Sequence, residues 1–236
     1  MEGIDRAKTN AAKHAYNLIH PRHRIIGIGT GSTVEKLIET LGANKEFFQD
    51  RFFVASSLDT ALKLRRYGFK VLSTSMMDEV DIYIDGADEV DRDMNMIKGG
   101  GAAHVLEKIL AYYSKERIYI VDYTKIVDFL GQKHPIPIEV LPEALYLVYN
   151  RLSRLGYNVK IRPSSKGKYG VVISDTRGVI IDLYLDGPTD IVTLENTLRG
   201  IPGIVDTGLF IGLADKIVVG YSDHVEVMDR QCIRRI

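Results

Sequence analysis

Apolar residues in the first half of the chain form short continuous runs that alternate with helically spaced positions. The run at 25–28 is typical of a buried strand, and apolar positions spaced as on one face of a helix follow it at 34–41. The same alternation predicts strands at 24–28, 52–55, 69–72, 81–84 and 117–121, and helices at 5–20, 32–41, 58–67 and 101–114. Such alternation is typical of an α/β fold with a mostly parallel, doubly wound sheet and helices on both faces.

The pattern changes in the second half of the chain. Strands are predicted near 136–140, 158–162, 170–174, 179–185 and 204–207, and helices at 143–155 and 189–200. Asp175-Thr176-Arg177-Gly178 predicts a hairpin turn. This order favours a smaller α+β unit of the ferredoxin-like type. Because the apolar run at 217–220 is expected to return to the first sheet, we expect an α/β domain at 1–130 plus 207–236 and an inserted domain at 131–206.

Composition and charge limit the classes of partner and compartment. The 236 residues can form one large domain or two modest ones, and they carry 31 basic and 31 acidic side chains. Because there is no basic excess, we expect no nucleic-acid partner. No apolar run approaches the roughly eighteen residues of a membrane helix, and the N-terminal residues have no apolar signal core. The single cysteine, Cys232, predicts a reduced thiol, so we expect a cytoplasmic protein without a membrane partner.

A turn rich in glycine and hydroxyl side chains follows the first predicted strand, with the sequence Gly27-Ile28-Gly29-Thr30-Gly31-Ser32-Thr33. Amides and hydroxyls at the start of the next helix are suited to bind a phosphate. A dinucleotide fingerprint would need glycine in place of Ser32 and an acid in place of Ser56-Ser57 after the next strand. An ATP-type P-loop would need a lysine after Gly31. A small phosphate site and a purely structural turn remain as alternatives.

Lys98 and three consecutive glycines precede the predicted helix that carries Glu107. Glycines have no side chains to cover their backbone N–H groups, and the start of a helix adds N–H donors and the positive end of its dipole. Because side chains lean towards the N-terminus of a helix, Glu107 is expected to point at the glycines. A carboxylate there can take a proton from carbon while an ammonium group and amides hold the resulting enolate. The alternative is a tight strand-to-helix turn with a solvated glutamate.

An acidic segment lies between these two turns. Asp85 and Asp88 fall nearest the carboxyl end of a predicted strand, where ligands of open α/β sheets gather, and are candidates to hydrogen-bond sugar hydroxyls. A calcium loop that starts at Asp91 would need glycine in place of Met96 and a bidentate acid in place of Ala102. Asp91 is therefore expected in a solvated turn.

The remaining chemistry-bearing side chains do not indicate a further site. The histidines lack metal-ligand spacing, so we expect no metal; they are His14, His20, His23, His104, His134 and His224. His104 is expected to line a pocket wall. Lys166-Gly167-Lys168 and Arg235 are interpreted as a solvated loop and tail, and Tyr112 and Tyr113 as core or subunit-contact residues.

Five segments, in their order and spacing, resemble the type A family of ribose-5-phosphate isomerases. They are GIGTGST from residue 27, SSLDT from 56, DGADEVD from 85, KGGGAAHVLEK from 98 and DYTKIVDFLG from 122. The resemblance covers essentially the whole chain. It implies interconversion of D-ribose 5-phosphate and D-ribulose 5-phosphate in the pentose phosphate pathway, through an enediolate and without a metal or organic cofactor.

Four residues correspond to the catalytic groups of that family, namely Glu107, Lys98, Asp85 and Asp88. In the implied mechanism Glu107 moves a proton from C2 of the aldose to C1, while Lys98 and the loop amides stabilise the enediolate oxygen. Asp85 is expected to assist opening of the furanose ring, and Asp88 to orient Lys98 or a hydroxyl group.

The resemblance also implies a set of substrate-binding residues, with the phosphate anchored by the turn after the first strand and by two lysines. The set is Thr30, Gly31, Ser32, Thr33, Gly99, Gly100, Gly101, Lys125 and Lys8. The expected partners are a small phosphosugar and further copies of the chain, as a homodimer or homotetramer. A phosphosugar-sensing domain is an alternative, but a repressor would need a DNA-reading module that the sequence does not show. A nucleotide-dependent enzyme is disfavoured by the fingerprint residues that are missing.

Overall fold

The computed structural model describes residues 2–164 and 169–230. Within these ranges the chain forms six α-helices and fourteen strands. The helices are α1 (Glu2–Asn17), α2 (Ser32–Ala43), α3 (Leu58–Arg66), α4 (His104–Tyr112), α5 (Leu145–Arg154) and α6 (Ile191–Arg199). The strands are β1 (Ile25–Ile28), β2 (Phe52–Ala55), β3 (Lys70–Leu72), β4 (Val80–Asp85), β5 (Glu89–Val90), β6 (Met96–Ile97), β7 (Ser114–Asp122), β8 (Ile136–Val140), β9 (Asn158–Ile161), β10 (Val179–Tyr184), β11 (Ile204–Thr207), β12 (Leu209–Phe210), β13 (Lys216–Gly220) and β14 (Val225–Asp229).

The described residues form two compact units. The first unit contains residues 2–87, 106–125 and 212–230, and the second contains residues 88–105, 126–164 and 169–211. The features predicted at Lys166, Lys168, Cys232 and Arg235 lie outside the described residues.

A seven-stranded sheet forms the first unit, in the order β14-β13-β7-β4-β1-β2-β3. Neighbouring strands are parallel except at the edge, where β14 runs antiparallel to β13. Residues of β1, β4 and β13 are buried in succession rather than alternately. Both faces of the sheet are therefore covered, and the prediction of a mostly parallel α/β fold is confirmed.

Small residues allow close packing at two places in the first unit. Gly27 of β1 lies opposite Tyr83 of β4 in the parallel register. A Cβ added at Gly27 would come within 2.8 Å of the Tyr83 ring. The buried face of α1 consists of four alanines, so that this helix packs closely on β7 and β13; they are Ala7, Ala11, Ala12 and Ala15.

The second unit contains a four-stranded antiparallel sheet in the order β11-β8-β10-β9. Along the chain its elements run β8-α5-β9-β10-α6-β11. This is the ferredoxin-like arrangement, and the prediction of a smaller α+β unit is confirmed.

The strand predicted at 170–174 is wrong, because the described residues there form two isolated bridges in place of a ladder. The two bridges join the segment to different stretches of chain, Val171 to Pro163 and Ile173 to Val179, so neither pairing extends into a ladder. The predicted hairpin turn is confirmed by a hydrogen bond from the Ser174 N–H to the Gly178 carbonyl (3.0 Å).

A three-stranded sheet, β12-β6-β5, draws additional residues into the second unit. The predicted boundaries assigned 88–105, 126–130 and 207–211 to the larger domain, whereas contacts group them with the smaller unit. Glu89 of β5 strengthens this grouping, because its buried carboxylate accepts the N–H groups of Gly131 and His134 at 2.6 Å each. Strands of two residues carry no periodic signal, so β5, β6 and β12 were not predicted.

Helix α4 begins at His104, three residues later than the predicted start at 101. Ala102 has φ 60°, in the left-handed region that a right-handed helix cannot include. At the other end, Tyr112 and Tyr113 are 68% and 59% exposed. The core alternative is therefore wrong for both tyrosines, and the subunit-contact alternative stays a prediction.

Candidate active site

The predicted phosphate-binding turn connects β1 to α2. Gly31 (φ 135°) is the N-cap residue of α2 and provides no side-chain cap, so the first-turn N–H groups are left for another acceptor. The Nζ of Lys8 in α1 donates to the Oγ of Ser32 at 2.9 Å. A helix start with a lysine beside it is suited to bind a phosphate group.

Thr30 of the same turn is held by the end of the neighbouring strand. Its hydroxyl donates to Ser57 Oγ (2.7 Å) and shares hydrogen bonds with the hydroxyls of Ser56 (3.0 Å) and Thr60 (3.2 Å). Thr60 in turn donates to the Gly29 carbonyl (2.8 Å). The structure thus places Thr30 where it ties the turn to the start of α3.

Asp85 ends β4 beside this turn and is fully buried. Its carboxylate accepts the N–H groups of Thr30 (3.0 Å) and Gly86 (2.7 Å) and the hydroxyl group of Tyr83. A Cβ added at Gly29 would overlap the Asp85 carboxylate, so this close approach requires glycine. Asp85 is therefore a fixed acceptor that joins the ends of β1 and β4.

Two buried tyrosines that the sequence analysis missed lie near the carboxylates of the first unit. The rings of Tyr83 and Tyr119 pack edge to face, with their centroids 6.3 Å apart. Burial raises the pKa of both hydroxyl groups well above the ordinary value, and the negative charges of Asp85 and Glu107 raise each pKa further. Both side chains therefore stay neutral phenols. A tyrosine inside an apolar strand carries no signal that distinguishes it from a core residue.

Glu107 lies in the first turn of α4 and is 3% exposed. The alternative of a solvated glutamate is therefore wrong. Its negative charge contributes to the raised pKa of Tyr83 and of Tyr119. A buried carboxylate with neutral donors nearby is suited to proton transfer, and the role of Glu107 as the base stays a prediction.

The glycine loop belongs to the second unit and begins with Lys98. This lysine is 2% exposed, its Nζ lies 5.4 Å from the centre of the Phe210 ring, and its N–H donates to the Gly208 carbonyl (2.9 Å). Gly99 has φ 102°, and the Ala102 N–H donates back to its carbonyl at 3.0 Å. The loop is therefore a closed turn whose lysine is buried.

Asp88 holds the middle of the glycine loop. Its Oδ2 accepts the N–H of Gly100 at 2.8 Å, and its own N–H donates to the Ile97 carbonyl at 2.9 Å. The Gly100 N–H is thus engaged by Asp88, although it was predicted to be among the amides that face an enediolate. Asp88 is half-buried, in contrast to the fully buried Asp85.

An arginine that the sequence analysis did not single out also holds this loop. Arg162 follows β9, and its Nη1 donates to the carbonyl oxygens of Gly99 (2.8 Å) and Gly100 (3.1 Å). Its Nε donates to Oδ2 of Asp182 in β10 at 2.8 Å, and its Nη2 donates to Oδ1. No local pattern reveals this contact, because Arg162 and Gly99 are 63 residues apart.

Lys125 follows β7 in a short 3-10 turn. Asp122 fixes this turn by accepting the N–H of Thr124 at 3.1 Å. Because β7 neighbours β4 in the parallel sheet, Lys125 and Asp85 follow strand ends at the same carboxyl edge. The first unit therefore gathers Lys8, Asp85, Lys125 and the start of α2 at one edge of its sheet.

Known proteins share both the sequence and the fold of this chain. Residues 52–224 match the family described as ribose 5-phosphate isomerase A (phosphoriboisomerase A). The chain belongs to this family. The ribose-5-phosphate isomerase A of Methanococcus aeolicus is 39% identical over 227 residues, which cover 94% of each chain.

Solved members of the ribose 5-phosphate isomerase A family match along nearly their whole length. The structure of the enzyme from Methanocaldococcus jannaschii has a TM-score of 0.88 and 35% identity, and covers 95% of this chain and 98% of its own. A D-ribose-5-phosphate isomerase in complex with phospho-erythronic acid has a TM-score of 0.90 and 36% identity, and covers 96% of this chain and 99% of its own.

Two further observations on residues 2–164 and 169–230 concern metal ions and membranes. No group of three or more His, Cys, Asp or Glu side chains in these ranges is placed to hold a metal ion. Asp91, where a calcium loop would begin, accepts the N–H groups of Asp93 (2.9 Å) and Asn95 (2.8 Å) and so closes a turn. None of the helices in the same ranges is long and apolar enough to span a membrane.

Proposed function

We propose that this protein is an aldose-ketose isomerase that interconverts D-ribose 5-phosphate and D-ribulose 5-phosphate in the non-oxidative pentose phosphate pathway. Membership of the ribose 5-phosphate isomerase A family over nearly the whole chain carries the proposal. A related isomerase that binds phospho-erythronic acid supports a phosphosugar as the ligand of this chain.

The phosphate group of the sugar is proposed to bind at the start of α2. Ser32 and Thr33 offer hydroxyl groups and first-turn N–H groups there, and Lys8 and Lys125 supply positive charge. Because a phosphate interacts favourably with both the N–H groups and the dipole of a helix start, this anchor orients the sugar before any bond changes.

Opening of the furanose ring requires proton transfer between the anomeric hydroxyl and the ring oxygen. Asp85 was expected to assist, but its buried carboxylate already accepts three hydrogen bonds from protein groups. Asp88 is only half-buried, and its Oδ2 accepts the Gly100 N–H. We therefore assign the proton transfer of ring opening to Asp88. Asp85 is assigned the role of a fixed, negatively charged acceptor that holds the turn after β1.

Isomerisation itself moves a proton from C2 of the aldose to C1 of the ketose. Glu107 is proposed as the base that carries this proton, because a buried carboxylate is suited to the role. Lys98 and the loop amides are proposed to stabilise the enediolate oxygen. We assign the amide contribution to Gly99 and Gly101, since the Gly100 N–H donates to Asp88.

The direct test is conversion of ribose 5-phosphate to ribulose 5-phosphate by the purified protein after prolonged EDTA treatment. We expect turnover that survives the chelator, because the proposed mechanism uses the Lys98 ammonium group and amides where other enzymes use a metal. A folded protein that does not convert the sugar would overturn the proposed function. A loss of activity that added metal restores would overturn the metal-free mechanism.

A cytoplasmic location and assembly as a homodimer or homotetramer belong to the same proposal. The single cysteine fits a reducing compartment. Exposed large side chains on α5, Tyr146 (69%) and Leu147 (75%), fit a contact between subunits. Light scattering of the purified protein measures the subunit number, and a monomer would contradict the proposed assembly.

A further inference from the structure

Arg162 lies outside every motif that indicated the function, yet it contacts the glycine loop directly. Its Nη1 lies 2.8 Å from the carbonyl oxygen of Gly99 and 3.1 Å from that of Gly100. Its Nε and Nη2 face the two carboxylate oxygens of Asp182. A single planar guanidinium therefore joins two consecutive loop carbonyls to one carboxylate.

The antiparallel sheet gives this contact a rigid base. Asp182 lies in β10, which has β8 on one side and β9 on the other. Arg162 extends the β9 ladder, since its N–H donates to the Ile180 carbonyl at 2.9 Å. The side chains of Arg162 and Asp182 are 14% and 10% exposed, so water competes little for their hydrogen bonds. The loop is thus tied to the interior of a sheet.

The same contact sets the direction of the loop amides. In a trans peptide the C=O group and the following N–H point in opposite directions. With the carbonyls of Gly99 and Gly100 turned towards Arg162, the N–H groups of Gly100 and Gly101 are turned away from it. The first of these donates to Asp88 at 2.8 Å. Gly101 itself is exposed, and a Cβ added there would meet nothing within 4 Å, so this end of the loop borders open space.

We propose that Arg162 is a positioning residue for the isomerase reaction, which holds the glycine-loop carbonyls so that the Gly101 N–H stays directed at the reacting sugar. The inference rests on the proposed function, because only an enediolate oxygen gives that N–H its catalytic use. Consecutive glycines have the widest backbone freedom of any residues. A loop built from them therefore needs an external group to keep its peptide planes in one orientation.

Two variants separate positioning from general stability. Arg162→Lys keeps the charge but loses the planar fork that reaches Asp182 and both carbonyls together, so we expect kcat to fall by ~10- to 100-fold with KM little changed. The double variant Arg162→Met/Asp182→Leu removes both charges of a buried pair, which leaves stability near that of the wild type. Its kcat is expected to stay low, because the carbonyls of Gly99 and Gly100 still lack the hydrogen bonds from Arg162.

A matched control is available in the same unit. Arg92→Met breaks the exposed Arg92–Asp128 ion pair (3.2 Å) and should leave kcat and the thermal midpoint unchanged. A role of Arg162 in stability alone predicts that the double variant recovers wild-type kcat together with wild-type stability. That result would overturn the proposal. If the double variant does not fold, Arg162→Lys decides, and wild-type kcat in that variant overturns the proposal equally.

Hydrogen exchange of the loop amides provides a readout that needs no substrate. The Gly100 N–H should exchange several times faster in both Arg162 variants than in the wild type. In Arg92→Met its exchange rate should be unchanged. Unchanged exchange at Gly100 would contradict the positioning role. If the wild-type protein did not isomerise ribose 5-phosphate, the proposed function would fail, and the exchange rates would still decide whether Arg162 holds the loop.

Discussion

Two glycine-rich turns of this protein are each closed by one of two neighbouring aspartates, but the remainder of their support differs. Asp85 closes the turn after β1, whose other supports are hydroxyl groups that follow β2, the next strand in the same sheet. Asp88 closes the glycine loop, whose other support is Arg162 from a distant strand. One turn is held through its side chains, and the other through its carbonyls.

This difference matches what each turn offers to a ligand. The first turn has its own hydroxyl network and is fixed before a phosphate arrives, which suits an interaction that is equal in ground state and transition state. Apart from Lys98, the residues of the glycine loop have no side chains of their own that could hold it. Its amides are the groups proposed to stabilise the enediolate. We therefore expect damage to the first turn to act on KM or stability, and damage around the loop to act on kcat.

The largest effect is expected for Glu107→Gln, which keeps the shape of the side chain but cannot accept a proton. Loss of a general base lowers kcat by roughly 10²–10⁴-fold, while KM should change little. The assay is steady-state turnover of ribose 5-phosphate, with the exposed Glu143→Gln as the control. Near-normal turnover of Glu107→Gln would refute the assignment of Glu107 as the base. It would also remove the reason to expect that damage around the glycine loop acts on kcat.

Within the glycine loop, Gly99→Ala and Gly101→Ala should differ sharply. Gly99 has φ 102°, and an added Cβ would lie 2.7 Å from Nδ1 of His104, whereas Gly101 has open space. We expect Gly99→Ala to lose about 1–3 kcal/mol of unfolding free energy and to lower kcat, and Gly101→Ala to keep the unfolding free energy of the wild type. Denaturant unfolding and turnover measure both effects. Equal losses of unfolding free energy in the two variants would show that the positive φ at Gly99 is not required by the loop.

The phosphate anchor gives the next largest effect. Lys8→Met removes a positive charge beside the start of α2, and Lys125→Ala removes one after β7 at the same edge of the sheet. A charge-assisted contact contributes ~1.5–3 kcal/mol. We expect KM for ribose 5-phosphate to rise roughly tenfold or more, with kcat largely kept. Lys13→Ala on the exposed face of α1 is the control. An unchanged KM would remove the corresponding lysine from the anchor.

The smallest effect is expected for Thr30→Val, which breaks the hydrogen bond to Ser57 (2.7 Å) without changing the shape of the side chain. The free energy of unfolding should fall by about 0.5–1.5 kcal/mol, with kcat unchanged. Thr9→Val is the control, because its hydroxyl donates to the Asp5 carbonyl of its own helix. A loss of kcat in Thr30→Val would mean that the first turn takes part in the chemistry, against the contrast drawn above.

The local pattern of apolar and polar residues decided which elements of the fold could be predicted. The strands at 52–55 and 136–140 were predicted at their observed bounds, because each is a continuous apolar run between polar segments. β5 and β6 were missed because their two residues have no periodicity. The start of α4 was misplaced because the left-handed Ala102 is invisible to helical spacing.

The candidate site shows the same limit. Asp85, Lys98 and Glu107 stand inside segments that resemble the motifs of the isomerase family, so local sequence was enough to single them out. Of the partners that hold these segments, Tyr83 stands in an ordinary strand sequence and Arg162 directly follows one. Their importance comes from tertiary contacts, which no window of sequence contains.

The pairing of Gly27 with Tyr83 places an evolutionary constraint on the site. The Tyr83 ring occupies the space that a side chain at position 27 would need, and its hydroxyl donates to Asp85. Neither position can therefore vary alone without loss of that hydrogen bond. Among related chains of this fold, we expect the two positions to co-vary, so that any residue larger than glycine at position 27 is accompanied by a smaller one at position 83.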